Sequence, residues 1–199
     1  MMELTKKEIR KILSKTLPNL GLGEIESLLS VSSYSKIENK EIILKSGSIS
    51  KKAFLIIKGA ARGYIVNEDG VEKNIVLRSE GIFVADVWLI YKNEPQRYTF
   101  EAIGETHLLM IDVKKFEVLA NTNQKIMNLY LNILKEAVLM LSYRVESMIT
   151  MSNEERYLDL LKMNPQFLKS AYLKHVANYL GITPVSLSRI IHRVKKAQD

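Results

Sequence analysis

The segment from 184 to 196 places cations on one side of a predicted helix and apolar residues on the other. It contains no acid, and its basic side chains are Arg189, Arg193, Lys195 and Lys196. Its apolar side chains recur at the i, i+3, i+4, i+7 spacing of a buried helix face, at Leu187, Ile190, Ile191 and Val194. Guanidinium and ammonium groups donate hydrogen bonds to phosphate oxygens, so the uncovered side predicts an anionic partner.

A second helix precedes this one, and the residues between the two favour a sharp turn. Ala177 is small enough to let two helices approach closely, and Gly181 permits the left-handed backbone that ends a helix. Thr183 is a good N-cap, and Pro184 suits the first helical position. The sequence therefore predicts a helix-turn-helix whose second helix enters the major groove of DNA. The alternative is an ordinary helical hairpin with a solvated basic side.

The exposed side of this second helix supplies the predicted contacts with double-stranded DNA. A guanidinium matches the O6 and N7 acceptors of guanine, so Arg189 is the predicted base contact. His192 suits either a base or a phosphate. Phosphate contacts, which position the helix, are expected from Thr183, Ser186, Arg193, Lys195 and Lys196. The predicted DNA-binding set is completed by Val185 and Ser188.

The overall charge agrees with an anionic partner and is concentrated near the end of the sequence. The net charge is +7, and the pI is about 9.4. From Arg156 onward eight lysines and arginines face two aspartates, which places +6 of the total in this segment. The chain has no cysteine, which excludes disulfides and cysteine-ligated metal centres and suits a cytoplasmic protein. No membrane partner is expected, because no apolar run is long enough to cross a bilayer and no secretory signal is recognisable.

Between about Tyr34 and Asp112 the sequence changes to short strand-like runs separated by turn residues. Short strands at this regular spacing predict an all-β barrel or jelly roll. Breaks between strands are expected at several turn residues, Gly59 and Gly104 among them. The run NEDG at 67–70 predicts a hairpin, because Asp-Gly adopts positive φ at little cost.

Helical spacing precedes and follows the strand region. It is found at 3–17 and 22–31, in a short run at 114–120, and in a long helix at 124–149. The long helix has two apolar stripes, which indicates contact with its own domain on one side and with a second helix on the other. One stripe is Ile126, Tyr130, Ile133, Ala137 and Met140. The other, which we assign to a homodimer, is Met127, Leu131, Leu134, Val138, Leu141, Val145 and Met148. The spacing alone leaves open which stripe faces a partner, or whether one chain buries the whole helix.

A capping box, SNEE at 152–155, starts another helix that is expected to end at Asn164–Pro165. A domain boundary is therefore expected just before it, near Thr150–Ser152. The predicted fold class is α+β. The predicted domains are a β-roll at 1–120, a dimerisation helix at 121–150 and a DNA-binding domain at 151–199.

The segments ERYLDLL at 155–161 and YLGITPVSLSRI at 179–190 resemble those of the catabolite-activator and fumarate–nitrate-regulator (CRP/FNR) superfamily of bacterial transcription regulators. The resemblance covers essentially the whole chain. It implies a β-roll of the cyclic-nucleotide-binding type, a dimer formed through the long helix, and a winged-helix domain that contacts promoter DNA and RNA polymerase. Arg189 lies where the family keeps its base-reading arginine, whereas Val185 stands where relatives often have a glutamate. The sequence ends at Asp199, so the wing is expected to be curtailed.

In family members that bind cyclic AMP, a glycine–glutamate pair and a later arginine with a small neighbour hold the ribose and the phosphate. In the matching segment here, 81–102, Gly81 is followed by Ile82 and Arg97 by the bulky Tyr98. We therefore expect that cyclic AMP binding is lost and that the site holds another small-molecule effector or none. The residues assigned to this effector pocket are Gly81, Val84, Asp86, Trp88, Arg97 and Tyr98.

Two other functions compete with DNA binding. A cupin-type enzyme needs a cluster of metal ligands, commonly two histidines and a carboxylate, and the strand region contains one histidine, His107. Neither His107 nor His175 is expected to ligate haem, and Asp86 and Glu101 are interpreted as ordinary unpaired carboxylates. No metal, cofactor or enzymatic activity is therefore expected. The other alternative is a dimeric small-molecule-binding signalling protein that no longer binds DNA, and the intact terminal motif argues against it.

Overall fold

The chain has an α+β fold in which two short helices precede an antiparallel sheet. The computed structural model describes residues 3–163 and 172–196. Helix α1 spans Lys6–Thr16, and α2 spans Leu22–Ser30. The strands are β1 (Ser32–Ile37), β2 (Ile42–Leu44), β3 (Lys52–Val66), β4 (Glu72–Ser79), β5 (Phe83–Val84) and β6 (Thr99–Asp112).

Helices follow the sheet, as the sequence predicts. A five-residue π-helical segment, Trp88–Lys92, lies between β5 and β6. The later helices are α3 (Val113–Thr122), α4 (Gln124–Thr150), α5 (Asn153–Met163), α6 (Leu173–Leu180) and α7 (Pro184–Lys196). The predicted capping box is confirmed, because Ser152 and Glu155 exchange hydrogen bonds at the start of α5. The expected helix end at 164–165 lies outside the described residues. Among the described helices, none is both long and apolar enough to cross a membrane.

The sheet is organised around its two longest strands. These strands, β3 and β6, pair antiparallel with each other. The order of strands in the sheet is β1-β6-β3-β4, and in addition β2 pairs with β6 and β5 pairs with β3. The hairpin predicted at 67–70 joins β3 to β4. Within it Gly70 has φ +75°, and the Val71 N–H donates to the Asn67 side chain over 2.8 Å. Strand β4 pairs only with β3 and therefore forms an edge of the sheet.

The breaks predicted at Gly59 and Gly104 are wrong, because each glycine lies inside one continuous strand. Gly59 has φ +94° and Gly104 has φ +74°. The β3–β6 register shifts between Ile56 and Lys58 and again between Lys58 and Ala60, across Gly59, and Ala60 pairs with Ile103. A bulge lets a strand bend without ending its ladder of hydrogen bonds, so the glycines mark bends in two long strands.

Two apolar clusters stabilise the β-roll. The inner cluster lies among the strands and contains Leu44, Phe54, Ile56, Ala61, Val84, Phe100 and Leu108. The outer cluster packs α1, α2 and the first turn of α4 onto the sheet, and its fully buried members include Leu13, Leu28 and Ile126. Burial of each such side chain contributes about 1.5–3 kcal/mol, and together they fix α4 to the sheet at one end.

A charged cluster is buried in the sheet near β4. Arg62 is only 5% exposed and donates two hydrogen bonds to Glu101, over 3.0 and 2.9 Å. It also donates to Asn74 over 3.2 Å and to Glu72 over 2.5 Å. The interpretation of Glu101 as an unpaired carboxylate is therefore wrong. The pairing compensates for the loss of water around both charges.

We predict that Arg62→Ala lowers the free energy of unfolding by about 3–5 kcal/mol, because it leaves the buried Glu101 carboxylate without its cation. Urea denaturation measures this loss, and we expect the midpoint to fall while the m-value stays unchanged. The control is Arg10→Ala, which breaks an exposed pair with Glu26 and should leave the midpoint unchanged. Equal effects of the two substitutions would contradict the prediction.

Candidate nucleic-acid interface and ligand site

Helix α7 begins where the sequence predicts. Gly181 has φ +74°, and the Thr183 hydroxyl accepts a hydrogen bond from the Ser186 N–H over 3.1 Å. Pro184 is the first helical residue. The apolar side of the helix is buried through Leu187, Ile190 and Val194, with Ile191 half-buried.

The opposite side of α7 faces solvent. Its exposed residues are Val185, Ser188, Arg189, His192, Arg193, Lys195 and Lys196. Thr183 is also exposed, while Ser186 is half-buried and bonded to the Thr183 hydroxyl over 2.9 Å. Arg193 pairs with Glu154 over 2.9 Å, and both side chains are largely exposed. Among the described residues, no acid forms an ion pair with Arg189, Lys195 or Lys196. This surface therefore offers free cationic donors.

A side-chain amide of helix α6 forms hydrogen bonds with the edge of the sheet. Asn178 Oδ1 accepts from the Asn74 N–H over 2.6 Å, and Asn178 Nδ2 donates to the Glu72 carbonyl over 2.8 Å. An edge strand presents unpaired N–H and C=O groups, and this amide satisfies one of each as a neighbouring strand would. A further hydrogen bond, 3.1 Å long, joins Asn39 to the Tyr172 hydroxyl just before α6.

The other end of α6 is capped by guanidinium groups from neighbouring helices. Arg144 of α4 lies 3.9 Å from the centre of the Tyr179 ring and donates to the Tyr179 carbonyl. Arg156 of α5 donates to the Leu180 carbonyl over 3.3 Å. Cations near the C-terminus of a helix are favourable because its last carbonyls lack partners within the helix. Burial lowers the pKa of Arg144.

The sheet, α5, α6 and α7 share one apolar cluster. Its buried members are Ala60, Leu77, Ile103, Tyr157, Val176, Ala177, Leu180, Leu187, Ile190 and Val194. His175 lies beside this cluster, is 6% exposed, and accepts a hydrogen bond at its carbonyl from Asn74 Nδ2 over 3.0 Å. Burial, helped by the positive charges of Arg62 and Lys174, lowers the pKa of His175 to about 4. His175 is therefore neutral at pH 7.

The two stripes of α4 have different environments. The stripe that begins at Ile126 packs against the chain, with Ile126 fully buried and its other members half-buried. The stripe assigned to a homodimer is largely uncovered, with exposed fractions of 44% at Leu131, 66% at Val138 and 59% at Val145. Leu141 and Met148 are exposed too, whereas Met127 and Leu134 are half-buried. An open groove of about 560 Å³ lies along Val138, Leu141, Ser142, Val145 and Glu146.

Four of the residues assigned to the effector pocket lie together, namely Asp86, Trp88, Arg97 and Tyr98. The Asp86 carboxylate is 1% exposed and accepts main-chain hydrogen bonds from Trp88 over 2.9 Å, Arg97 over 2.6 Å and Tyr98 over 3.2 Å. The interpretation of Asp86 as an unpaired carboxylate is therefore wrong. We refer to these four residues as the Asp86 cassette.

The guanidinium of the Asp86 cassette forms no ion pair with the Asp86 carboxylate and has other partners. The Arg97 guanidinium lies 3.5 Å from the centre of the Trp88 ring and donates to Glu94 over 2.8 Å. Val84 is buried in the inner cluster beside Tyr98. Gly81 is not brought into the cassette. It occupies a turn with φ +85°, and its N–H donates to the Ile56 carbonyl over 2.9 Å.

The π-helical segment next to the Asp86 cassette is linked to α4 by a pair of tyrosines. The Tyr91 and Tyr130 hydroxyls lie 2.8 Å apart, and Tyr130 donates to Glu117 over 3.1 Å. Burial and these two hydrogen bonds raise the pKa of Tyr130. Tyr130 belongs to a helix that the sequence predicts, whereas the helical segment that contains Tyr91 is not predicted, and nothing in the sequence indicates that the two tyrosines meet.

His107 has partners that fill both ring nitrogens. Its Nδ1 lies 2.6 Å from the Tyr34 hydroxyl, and its Nε2 lies 3.1 Å from Glu105 Oε1. Across residues 3–163 and 172–196 no group of three or more histidine, aspartate or glutamate side chains is arranged to hold a metal ion.

Comparison with known proteins identifies the sheet region. Residues 35–123 match the model of the cyclic nucleotide-binding domain. No curated protein sequence is similar to this chain. The match covers most of the sheet, the Asp86 cassette and α3, and it ends before α4.

Solved structures are similar over most of the chain. FixK2 from Bradyrhizobium japonicum is 16% identical, with a TM-score of 0.72 over 84% of this chain and 86% of that one. A CooA mutant from Carboxydothermus hydrogenoformans is 16% identical, with a TM-score of 0.70 over 98% and 87%. A transcriptional regulator assigned to the Crp/Fnr family from Eubacterium rectale is 14% identical, with a TM-score of 0.67 over 90% and 86%. At these identities the similarity establishes the fold.

The buried His175 predicts a loss of stability in acid. Its pKa is about 4 in the folded chain and about 6.5 when exposed, so the unfolded state binds more protons between these values. The stabilisation due to neutral His175 is complete above pH 6.5 and is lost as the pH falls towards 4. Chemical denaturation at several pH values measures it.

The control for this pH dependence is His175→Gln, which stays neutral at every pH. Carboxylates titrate in the same range in both proteins, so the difference between the two curves isolates His175. We expect the curves to diverge below pH 6.5, and parallel curves would show that His175 does not contribute.

Proposed function

We propose that this protein is a transcription regulator that binds DNA as a homodimer. The proposal is supported by its cyclic nucleotide-binding domain and by its similarity in fold to CRP/FNR regulators. The observation that carries the proposal is α7, whose apolar side is buried and whose acid-free opposite side presents free cations. In this proposal α6 and α7 are the helix-turn-helix of a DNA-binding domain at 151–199. The protein acts in the cytoplasm on palindromic promoter sites and contacts RNA polymerase.

Within α7 the proposed roles follow the position of each side chain. Arg189 lies in the N-terminal half, exposed and without an ion pair among the described residues, and it reads guanine in the major groove. Lys195 and Lys196 lie at the other end of the helix and contact phosphates, as do Thr183, Ser186 and Arg193. Arg193 would exchange its exposed pair with Glu154 for a phosphate at little cost, because exposed ion pairs are weak.

The proposed homodimer uses the uncovered stripe of α4. A row of exposed apolar side chains along 27 residues of helix is costly in water and matches the spacing of a two-stranded coiled coil. Pairing of two copies through this stripe places two α7 helices in one particle, and a two-fold particle requires a palindromic site. A small molecule other than cyclic AMP, bound in the β-roll, is the proposed effector.

The proposed function is tested by selecting bound sequences from random double-stranded DNA, with and without cell metabolites. We expect enrichment of a palindrome whose half-sites are about one helical turn apart. Affinity for the selected site should fall steeply as salt rises from 50 to 200 mM, as expected for several phosphate contacts. Failure to enrich any sequence under all conditions would favour the signalling protein that no longer binds DNA.

We predict that Arg189→Ala costs about 1–3 kcal/mol of binding free energy at one base pair and relaxes sequence preference there. Lys195→Ala should instead weaken all sequences alike and reduce the salt dependence by about one phosphate contact. Fluorescence anisotropy on the selected site and on single-base variants measures both effects. An unchanged preference in Arg189→Ala would contradict its role as the base contact.

We predict that Val138→Glu weakens the homodimer by about a hundredfold or more, because it introduces two buried carboxylates at a symmetric contact. Analytical ultracentrifugation over a range of concentrations measures it. The matched control is Val118→Glu on α3, since both valines are 66% exposed and only Val138 lies on the stripe. A dimer that tolerates both substitutions equally would place the contact elsewhere.

A further inference from the structure

The Asp86 cassette holds the arrangement of an anion-binding site, with one difference: the chain itself supplies the anion. Three main-chain N–H groups, those of Trp88, Arg97 and Tyr98, converge on one carboxylate. Convergent backbone N–H groups are a common means by which proteins bind phosphate and other anions. The carboxylate is 1% exposed, so it is a fixed part of the site.

We propose that Asp86 permanently occupies the anion site of this cyclic nucleotide-binding domain and thereby excludes ligands that carry a phosphate. The proposal rests on the proposed function only in that it takes the Asp86 cassette to be the ligand site. It makes Asp86 the residue that determines ligand specificity.

The exclusion has two physical causes. The first cause is that the three N–H groups already donate to Asp86. The shortest of these hydrogen bonds joins the Arg97 nitrogen to an Asp86 oxygen over 2.6 Å. The second cause is charge: a phosphate that approached these N–H groups would lie within a few ångströms of the buried, negatively charged Asp86 carboxylate. Like charges at that distance are strongly unfavourable where water is excluded.

The one cation of the Asp86 cassette does not offset this repulsion. The Arg97 guanidinium stacks on Trp88 at 3.5 Å and pairs with Glu94 at 2.8 Å. It would have to leave both partners to reach a ligand at the N–H groups. The carboxylate is therefore held by neutral backbone donors, and the Arg97 guanidinium is engaged by Trp88 and Glu94 instead.

The same geometry predicts how phosphate binding can be created. Asp86→Ala removes the carboxylate and leaves three N–H groups facing a vacated space. Asp86→Asn is the matched control, because it removes the charge but keeps the space filled and keeps an oxygen acceptor. Trp88 is the only tryptophan of the chain, so its fluorescence reports directly on the cassette.

The experiment measures melting temperature and Trp88 fluorescence of the full chain with cyclic AMP or inorganic phosphate at millimolar concentration, against sodium chloride of equal ionic strength. Wild type and Asp86→Asn should show no response to either anion. Asp86→Ala should melt at a lower temperature than wild type, regain about 3–6 °C with phosphate at about ten times its dissociation constant, and change its fluorescence.

Three outcomes would overturn the proposal. They are saturable binding of cyclic AMP by wild type, a folded Asp86→Ala that responds to phosphate no more than to chloride, and an equal phosphate response of Asp86→Asn and Asp86→Ala. Asp86→Ser carries the same expectation and replaces Asp86→Ala if that variant does not fold, because its hydroxyl keeps one acceptor near the Trp88 N–H. None of these measurements contains DNA, so failure here is distinguishable from failure of the proposed function.

Discussion

The position of the cationic helix depends on the hydrogen bonding of an edge strand. Strand β4 has a partner on one side only, and its free N–H at Asn74 and free C=O at Glu72 are both satisfied by the amide of Asn178. Unpaired backbone groups that lose water cost about 1–3 kcal/mol each, so α6 has one favoured register along this edge. Because α6 and α7 share a buried apolar cluster, fixing α6 also fixes the direction in which Arg189 points.

The parts of the structure that could be predicted are those determined by local chemistry. Gly181 ends α6 because it takes the left-handed backbone, and Thr183 begins α7 because its hydroxyl reaches an N–H three residues on. The apolar spacing of α7 is likewise sufficient to tell its buried side from its exposed side. The two stripes of α4 could be found in the same way, but which one stays uncovered depends on the sheet, and spacing contains no information about that.

The parts that could not be predicted depend on residues far apart in the sequence. Asn178 and Asn74 are separated by 104 residues, and Arg62 and Glu101 by 39. A single polar residue in a strand looks the same in the sequence whether it faces solvent or a buried partner, so the pairing of Glu101 and Asp86 leaves no sign there. The glycines of β3 and β6 resemble strand ends in the sequence because a bulge and a turn need the same positive φ, and only the partner strand distinguishes them.

These contacts divide the polar groups of the described chain into those that it satisfies itself and those that it leaves for others. The N–H groups of the Asp86 cassette, the edge of β4 and the last carbonyls of α6 all receive partners from the same chain. The cations of α7 are different, since no acid lies in their own helix and Glu154 reaches only Arg193. The chain thus supplies its own acceptor for the N–H groups of the Asp86 cassette, while Arg189, Lys195 and Lys196 have no ion pair among the described residues. In the proposed function these uncovered donors face a nucleic acid backbone, which presents its charges along a groove that admits a helix.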